Sequence, residues 1–355
     1  MKVKVVVGSN YGDEGKGLVS GCLARDAILN DREKVLTCFY NGCNQRSHTF
    51  EGIARHTLAA GEAYGSDTFY YKTFVVDPIM LWLTKSTPII DPRCRVIFPC
   101  DVLYGQSREK QLKHGSCGFG LFSAVRRAEQ MQEPYIVEDF FLPENHAFYQ
   151  KIQYTDNWYK YQPNEIHNLT NFLRAIKWVK ENCRFLRFED IVNQYDTTIF
   201  EGGQGLLLDQ TNIGDFPHLT PSSTGAFNIH EDIEKLGIIP ELFYVSRSYI
   251  TRHGRGPMED ECLKQDINSS IIDKTNEPNE WQGSLRFGRI NIISLTDRIM
   301  KDANYYQCDK NINLVFTHLN YTDNKLETTQ GKIEIPNFEF AKIYGSDKKD
   351  NLKLL

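Results

Sequence analysis

An apolar run at 3–7, interrupted only by Lys4, passes directly into the glycine-rich stretch 8–17. A second apolar stretch at 18–29 follows, with Ser20, Arg25 and Asp26 as its only clearly polar side chains. The first run has the pattern of a strand buried in a parallel sheet, and the second reads as a helix. Further strands are predicted at 35–40, 74–76, 95–98, 198–200, 241–246 and 313–317. Helical patterns cover 120–131, 164–181 and 295–303. Most of the strand candidates run into turns rich in Gly, Asn, Asp or Ser/Thr. That is the pattern of an α/β fold with an open, mostly parallel central sheet flanked by helices, whose ligands sit at the carboxyl ends of the strands. The segment 133–164 is aromatic and charged without a clear period, and reads as an insertion or a lid.

Composition narrows this picture. A chain of 355 residues, 41% hydrophobic, supports one large domain over 1–355, or a main domain with sizeable insertions. A net charge of −5 gives no reason to expect nucleic acid as a partner. No apolar run reaches the ~18–20 residues that cross a bilayer, and no signal peptide precedes the first strand. The expectation is a cytoplasmic protein that avoids membranes. The nine cysteines are scattered, with no Cys-x-x-Cys, and read as reduced packing thiols rather than zinc ligands.

The chemistry is concentrated in the turn after the first strand. Glycines there let a backbone approach phosphate, and the N–H groups of a helix start point at it. Gly12, Asp13, Glu14, Gly15, Lys16 and Gly17 put three glycines, two acids and a lysine into six positions. The spacing is not that of the usual P-loop. Lys16 adds fixed positive charge. Two acids beside a phosphate repel it, so Asp13 and Glu14 point to a metal ion, a proton transfer, or both.

Other constellations follow other strand ends. Residues 41–49 bring Asn44, Arg46, Ser47 and His48 together, and His48 is a fair acid or base candidate. A second glycine-rich turn, with Ser116, opens the helix that carries Arg126 and Arg127. Gln204 stands in the turn after the strand at 198–200, and Thr220 in a hydroxyl-rich segment beyond it. Thr251 with Arg252, and Arg286, belong to Arg/Gly loops that can grip carboxylates through paired guanidinium bonds.

Taken in order, these segments resemble the adenylosuccinate synthetase family along nearly the whole chain. The family's Gly-Asp-Glu-Gly-Lys-Gly is complete at 12–17, its Gly-x-Asn-Ala-Gly-His-Thr loop is similar to 42–49, its Phe-Glu-Gly-Ala-Gln-Gly is 200–205 with one substitution, and its Thr-Thr-Arg-x-Gly-x-Gly-Pro is similar to 250–257. The resemblance implies the family's P-loop-like fold. It also implies a Mg2+-dependent ligase joining L-aspartate to C6 of a 6-oxopurine monophosphate through a 6-phosphoryl intermediate, at the expense of a nucleoside triphosphate. By that resemblance Asp13 takes the N1 proton and, with Ser47, ligates Mg2+, while His48 stabilises the phosphate reaching O6. Gly12, Glu14, Gly15, Lys16, Gly17 and Asn320 hold the triphosphate nucleotide. Asn44, Ser116, Arg126, Gln204 and Thr220 hold the purine monophosphate, and Thr251, Arg252 and Arg286 the aspartate. The family's equivalent of Arg126 comes from a neighbouring subunit, which implies a homodimer.

The chain departs from the family pattern in four places. It is shorter than typical bacterial members. The His48 loop carries the extra residue Arg46, and Ser47 stands where glycine precedes the histidine. The guanine-reading Thr-Lys-Leu-Asp is replaced by Thr317-His318-Leu319-Asn320. The arginine-rich aspartate loop is reduced to 283–288. A carboxylate accepts from both N1–H and N2–H of guanine, whereas an amide has one acceptor side. Adenine offers an acceptor and a donor, which asparagine matches. These departures are similar to the phage branch that makes 2-aminoadenylosuccinate from dGMP with ATP or dATP. Phage members often replace the catalytic Asp, and Asp13 is present here. The acceptor expectation is therefore dGMP narrowly ahead of IMP, with the ordinary IMP and GTP enzyme as the alternative and a non-catalytic purine-nucleotide sensor as a third reading.

Overall fold

Valines dictate the centre of the molecule. In the computed structural model, Val3, Val5 and Val7 of strand β1 (Lys2–Gly8) enter one buried apolar cluster, and Val6 enters another on the opposite face. A strand with both faces buried needs helices on both sides, and it has them. Helix α1 (Lys16–Leu29) covers one face through Val19, Leu23, Ala24 and Ala27. Phe227–Lys235 and Ile292–Ala303 cover the other through Ile229, Ile233, Leu295 and Ile299. The structure describes residues 1–44, 48–50, 53–131, 135–143, 146, 148–149, 163–273, 276, 281–306, 311–346 and 351–355, with the backbone alone at 48, 49, 53–55 and 131.

The central sheet has ten strands. After β1 they are β2 (Val35–Phe39), β3 (Asp67–Tyr70), β4 (Ile89–Ile90), β5 (Arg184–Phe185), β6 (Thr197–Gly205), β7 (Glu241–Arg247), β8 (Ile312–Thr317), β9 (Lys342–Ser346) and β10 (Leu352–Leu354). Their order is β10-β9-β8-β7-β1-β6-β2-β3-β4-β5. All neighbours run parallel except the terminal β9–β10 pair. The chain leaves β1 toward β2 on one side and later adds β7 and β8 on the other. The carboxyl ends of β1, β6, β7 and β8 therefore meet at one crevice.

Two of the predicted strands are not part of this sheet. Val75–Val76 and Arg95–Val96 pair with each other in a separate two-stranded parallel ladder. Each is cut short by a proline-initiated helix, Pro78–Thr84 capped by Asp77 and Pro99–Leu112. The helix predicted over 164–181 begins later, at Leu169, because Asn168 accepts from Asn171 N at 2.9 Å and caps it. Asn164 instead turns the preceding backbone through bonds to Ile166 N and His167 N. The first part of the segment 133–164 packs inward, with Tyr135, Val137, Phe140 and Phe148 in a second buried cluster. Its 150–162 stretch, within the segment expected to be an insertion or a lid, lies outside the described residues.

Arg126 and Arg127, adjacent in sequence, have opposite fates. On the helix Leu121–Met131, Arg127 is 2% exposed. Its Nε and Nη2 bind both oxygens of the buried Asp101 at 2.9 and 2.8 Å, and its guanidinium lies 4.0 Å from the ring centroid of Phe98. Removing one partner strands a buried charge, at a cost of about 3–5 kcal/mol. Arg127→Ala is therefore expected to lower the urea midpoint by that equivalent, while Arg126→Ala leaves the midpoint unchanged.

Candidate active site

The turn between β1 and α1 is built on a buried carboxylate. Glu14 is 2% exposed, and its Oε1 accepts from the backbone N–H of Asn10 at 2.9 Å and of Gly12 at 2.8 Å. Its Oε2 binds Lys16 Nζ at 2.9 Å, and the same ammonium reaches the Gly12 carbonyl. Burial alone opposes ionisation of Glu14, but the Lys16 charge and these donors outweigh it and hold its pKa below the ordinary value. Gly12 and Gly15 have φ of 127° and 97°, a region open to glycine, and these two residues let the chain close around the carboxylate.

Two strand ends and a helix hold other carbonyls of the turn. Arg298 Nε donates to Ser9 O at 2.7 Å. Arg247 Nε donates to Asp13 O at 2.5 Å. Thr317 Oγ1, at the end of β8, donates to Glu14 O at 2.7 Å. With its carbonyls engaged from behind, the turn presents Gly12, Asp13, Gly15, Lys16 and Gly17 to a cleft of about 1090 Å3. That volume is at the top of the ~300–1,000 Å3 range of ligand pockets. The N-terminus of α1 opens into the cleft and provides a natural seat for phosphate.

Most of the residues singled out in the sequence converge on this cleft. Ser116, Arg126, Gln204, Thr220, Arg252 and Asn320 line it together with the turn. Arg252 is buried, stacks 4.5 Å from the Tyr11 ring centroid, and donates to His218 O. Arg126 is exposed and lines the cleft of its own chain.

Four expected ligand contacts are placed elsewhere. Glu14 is turned into the loop and does not line the cleft; its charge is used on Lys16 and the backbone. Asn44, 2% exposed, does not line the cleft: its Nδ2 donates to Tyr70 OH at 2.7 Å and its Oδ1 accepts from Asp77 N at 2.8 Å. A buried amide needs partners at both ends, and here structure supplies them. Thr251 is buried in a short antiparallel ladder opposite Phe287 and is not in the cleft wall. Arg286, also outside the wall, holds Glu261 at 2.7 Å and the carbonyls of Gly254 and Gly256 at 3.0 and 2.9 Å. It shapes the Arg/Gly turn and is not free to bind a ligand. Ser47 and the side chain of His48 lie outside the described residues.

A family model for adenylosuccinate synthetase matches residues 5–300. The chain belongs to the adenylosuccinate synthetase family. This adenylosuccinate synthetase-type enzyme is a carbon–nitrogen ligase that condenses aspartate with a purine nucleotide. It is 25% identical over 342 residues to the Hydrogenobaculum sp. adenylosuccinate synthetase, covering 88% of this chain and 76% of that one. It is 27% identical over 302 residues to the Clostridium botulinum enzyme, covering 75% and 67%. Its fold is similar to that of the fully ligated Plasmodium falciparum adenylosuccinate synthetase, with a TM-score of 0.70, 18% identity and coverage of 100% and 87%. It is also similar to that of the cyanophage S-2L succinoaminodeoxyadenylate synthetase bound to dGMP and dATP, with a TM-score of 0.62, 16% identity and coverage of 99% and 95%.

Adenylosuccinate synthetases use Mg2+. The donor set here fits such an ion. The Asp13 side chain is 34% exposed in the cleft, and no group of three or more His, Cys, Asp or Glu ligands gathers among the described residues. Mg2+ characteristically takes one or two carboxylates and completes its shell with water and substrate phosphate. Among the described residues no helix is long and apolar enough to cross a membrane.

Arg247 and Arg298 belong to no motif, and His253 is marked in the sequence only as a member of the Arg/Gly loop 251–257. Arg298 gave no signal, being one polar position of an amphipathic helix. Arg247 ends an apolar strand, and that position was its only clue. The state of His318, a cleft residue like Arg247 and His253, also left no mark in the sequence. It is enclosed beside Arg247, and burial first, then the arginine charge, push its pKa down to about 3. Between the ordinary histidine value of about 6.5 and 3, the unfolded chain binds a proton that the folded chain refuses. The contribution of His318 to stability is thus complete above about pH 6.5 and is lost as the pH falls toward 3. His318→Asn tolerates the residue's φ of 60° and is expected to flatten that part of the pH–stability curve; parallel curves for both proteins would refute it.

Proposed function

We propose that this enzyme joins L-aspartate to C6 of dGMP, with ATP or dATP as the phosphoryl donor and Mg2+ at the triphosphate. The observation that carries the donor assignment is the placement of Asn320 in the cleft wall, three residues after Thr317 ties β8 to the Glu14 carbonyl. The family's base-reading segment thereby stands beside the phosphate turn, with an amide where the family has a carboxylate. The neighbouring His318 is neutral where the family has a lysine. Structural likeness to the phage S-2L enzyme, whose structure holds dGMP and dATP, supports the acceptor assignment. The alternative, IMP with GTP, is favoured by one feature, the retained Asp13.

In this reading the reaction has two stages. Phosphoryl transfer activates the purine O6, and the aspartate amine then displaces phosphate from C6. Asp13 receives the N1 proton, and His48 stabilises the phosphoryl group as it arrives. Lys16 and the first-turn N–H groups of α1 stabilise triphosphate charge within a rigid turn, the arrangement that best favours charge developing in a transition state. Asp13, with Ser47, would hold Mg2+, and the ion would supply positive charge to the donor phosphates. Ser116, Arg126, Gln204 and Thr220 hold the acceptor nucleotide, and Arg252 the aspartate carboxylate. A single domain, acting in the cytoplasm as a homodimer, completes the proposal, and sedimentation as a monomer would remove the dimer from it.

Phosphate release in the presence of aspartate, measured for IMP, GMP and dGMP against ATP, dATP and GTP, tests both assignments. The expected maximum is dGMP with ATP or dATP; a maximum with IMP and GTP overturns the proposal. Asp13→Ala and His48→Ala are each expected to lose at least about a hundredfold in turnover. Guanine would set a donor against a donor at Asn320, and an unpaired buried polar group costs about 1–3 kcal/mol, or roughly five- to a hundredfold. Asn320→Asp is accordingly expected to shift the donor preference toward GTP by that factor.

A further inference from the structure

A chain of hydrogen bonds runs from the Asp13 carbonyl to His253, whose ring nitrogen stands 3.6 Å from the Asp13 carboxylate. Arg247 Nε donates to the Asp13 carbonyl at 2.5 Å, and Arg247 Nη2 donates to Asp273 Oδ2 at 2.8 Å. The same Asp273 oxygen accepts from Asn276 Nδ2 at 2.8 Å. Asn276 Oδ1 faces His253 Nε2 at 3.0 Å, and that nitrogen lies 3.6 Å from Asp13 Oδ2. The directions are consistent along all of these bonds. A carboxylate accepts only, so Asn276 must turn its NH2 to Asp273 and its oxygen to His253. His253 must then carry its proton on Nε2. His253 Nδ1 is buried and makes no hydrogen bond, which a bare acceptor tolerates far better than a stranded N–H donor. The one polar hydrogen of the ring is thereby on the nitrogen that meets the Asn276 amide oxygen at 3.0 Å and stands 3.6 Å from the Asp13 carboxylate.

The position is informative. The family pattern Thr-Thr-Arg-x-Gly-x-Gly-Pro leaves residue 253 open, so nothing in the shared motif requires an imidazole there. Gly254 and Gly256, which follow, are fixed by Arg286. The imidazole therefore stands on a braced turn, while its partners Asp273 and Asn276 come from a segment distant in sequence. Ile272 in that segment accepts from Tyr321 OH at 3.0 Å, next to Asn320.

We propose that His253 is a positioning residue for Asp13, its Nε2–H restricting the carboxylate to one orientation with the support of the Asn276–Asp273–Arg247 hydrogen bonds. The proposal rests on the role of Asp13 given above. A carboxylate one third exposed on a glycine-rich turn has rotamers to lose. Fixing it before substrate arrives removes that disorder from the reactive complex.

The test is a kinetic and binding comparison on the full-length enzyme. His253→Ala is expected to lower kcat by about ten- to a hundredfold, the scale of a misplaced catalytic group. The KM for each substrate and calorimetric nucleotide binding should stay within about threefold, because ground-state contacts are untouched. His253→Gln, which keeps an N–H donor at similar reach, should recover most of the loss. Asn276→Ala should show a smaller loss of the same kind and serves as the test should His253→Ala fail to fold. In an Asp13→Ala background, His253→Ala should cost nothing further, since the two act as one unit. A raised KM with unchanged kcat, or a loss that multiplies that of Asp13→Ala, overturns the proposal. Loss in Asp13→Ala with none in either His253→Ala or Asn276→Ala overturns it alone. Full turnover in Asp13→Ala overturns the underlying reading, and the proposal with it.

Discussion

The Glu14–Lys16 pair is the interaction on which the site depends. A phosphate-binding turn must bend sharply, expose N–H groups and keep its carbonyls away from the anion. Glu14 achieves the bend by gathering two N–H groups and an ammonium onto one buried carboxylate. Desolvating a carboxylate is costly, and it is tolerated only where charge and hydrogen bonds compensate fully. That requirement makes the loop geometry all-or-none: Lys16, Gly12 and Asn10 must all be in place for the charge to stay buried. The same pair fixes the buried lysine in the cleft wall.

A second layer of ion pairs anchors this turn to the sheet. Arg298 spans Ser9 and Glu259, and Arg247 spans Asp13 and Asp273. Each arginine binds one carbonyl of the turn and one carboxylate from a distant segment. The planar guanidinium fork suits this task because its donors diverge in fixed directions. The consequence is a division of labour among carboxylates of one region. Glu14, Asp273 and Glu259 each face a fixed cation. Asp13 is exposed to the cleft and faces an imidazole, so its charge is left available for chemistry.

Local chemistry decides what the sequence discloses. The turn at 12–17 is legible because three glycines and a lysine between an apolar strand and a helix admit few other structures, and the parallel sheet follows from valines that serve both faces. The roles within the turn are not legible at that level. Asp13 and Glu14 look equivalent as a string, and only the backbone course sends one outward and the other inward. Asn44, Thr251 and Arg286 illustrate the same limit. Each has the side chain of a ligand contact and lies in or beside a polar loop, yet Tyr70, Phe287 and Glu261, all distant in sequence, claim those positions for structure. The helix Pro99–Leu112 left no periodic trace because it buries Asp101 and Glu109 alongside Cys100 and Val102. Its inward face is partly charged and is satisfied by Arg127 and by the Gly115 backbone.

One departure from the family pattern stands at this charged framework. His318 replaces a cation with a neutral ring, kept neutral by its burial and then by Arg247, the residue that also holds the Asp13 carbonyl. A lysine at 318 would set two cations against each other beside one acceptor, Asp273. The histidine avoids that repulsion and leaves Asp273 free to take Asn276 as well as Arg247. His253 then has an amide oxygen to face. Residues 253 and 318, far apart in sequence, are in this way parts of one electrostatic arrangement, which joins the Asn320 end of the cleft to the Asp13 carboxylate.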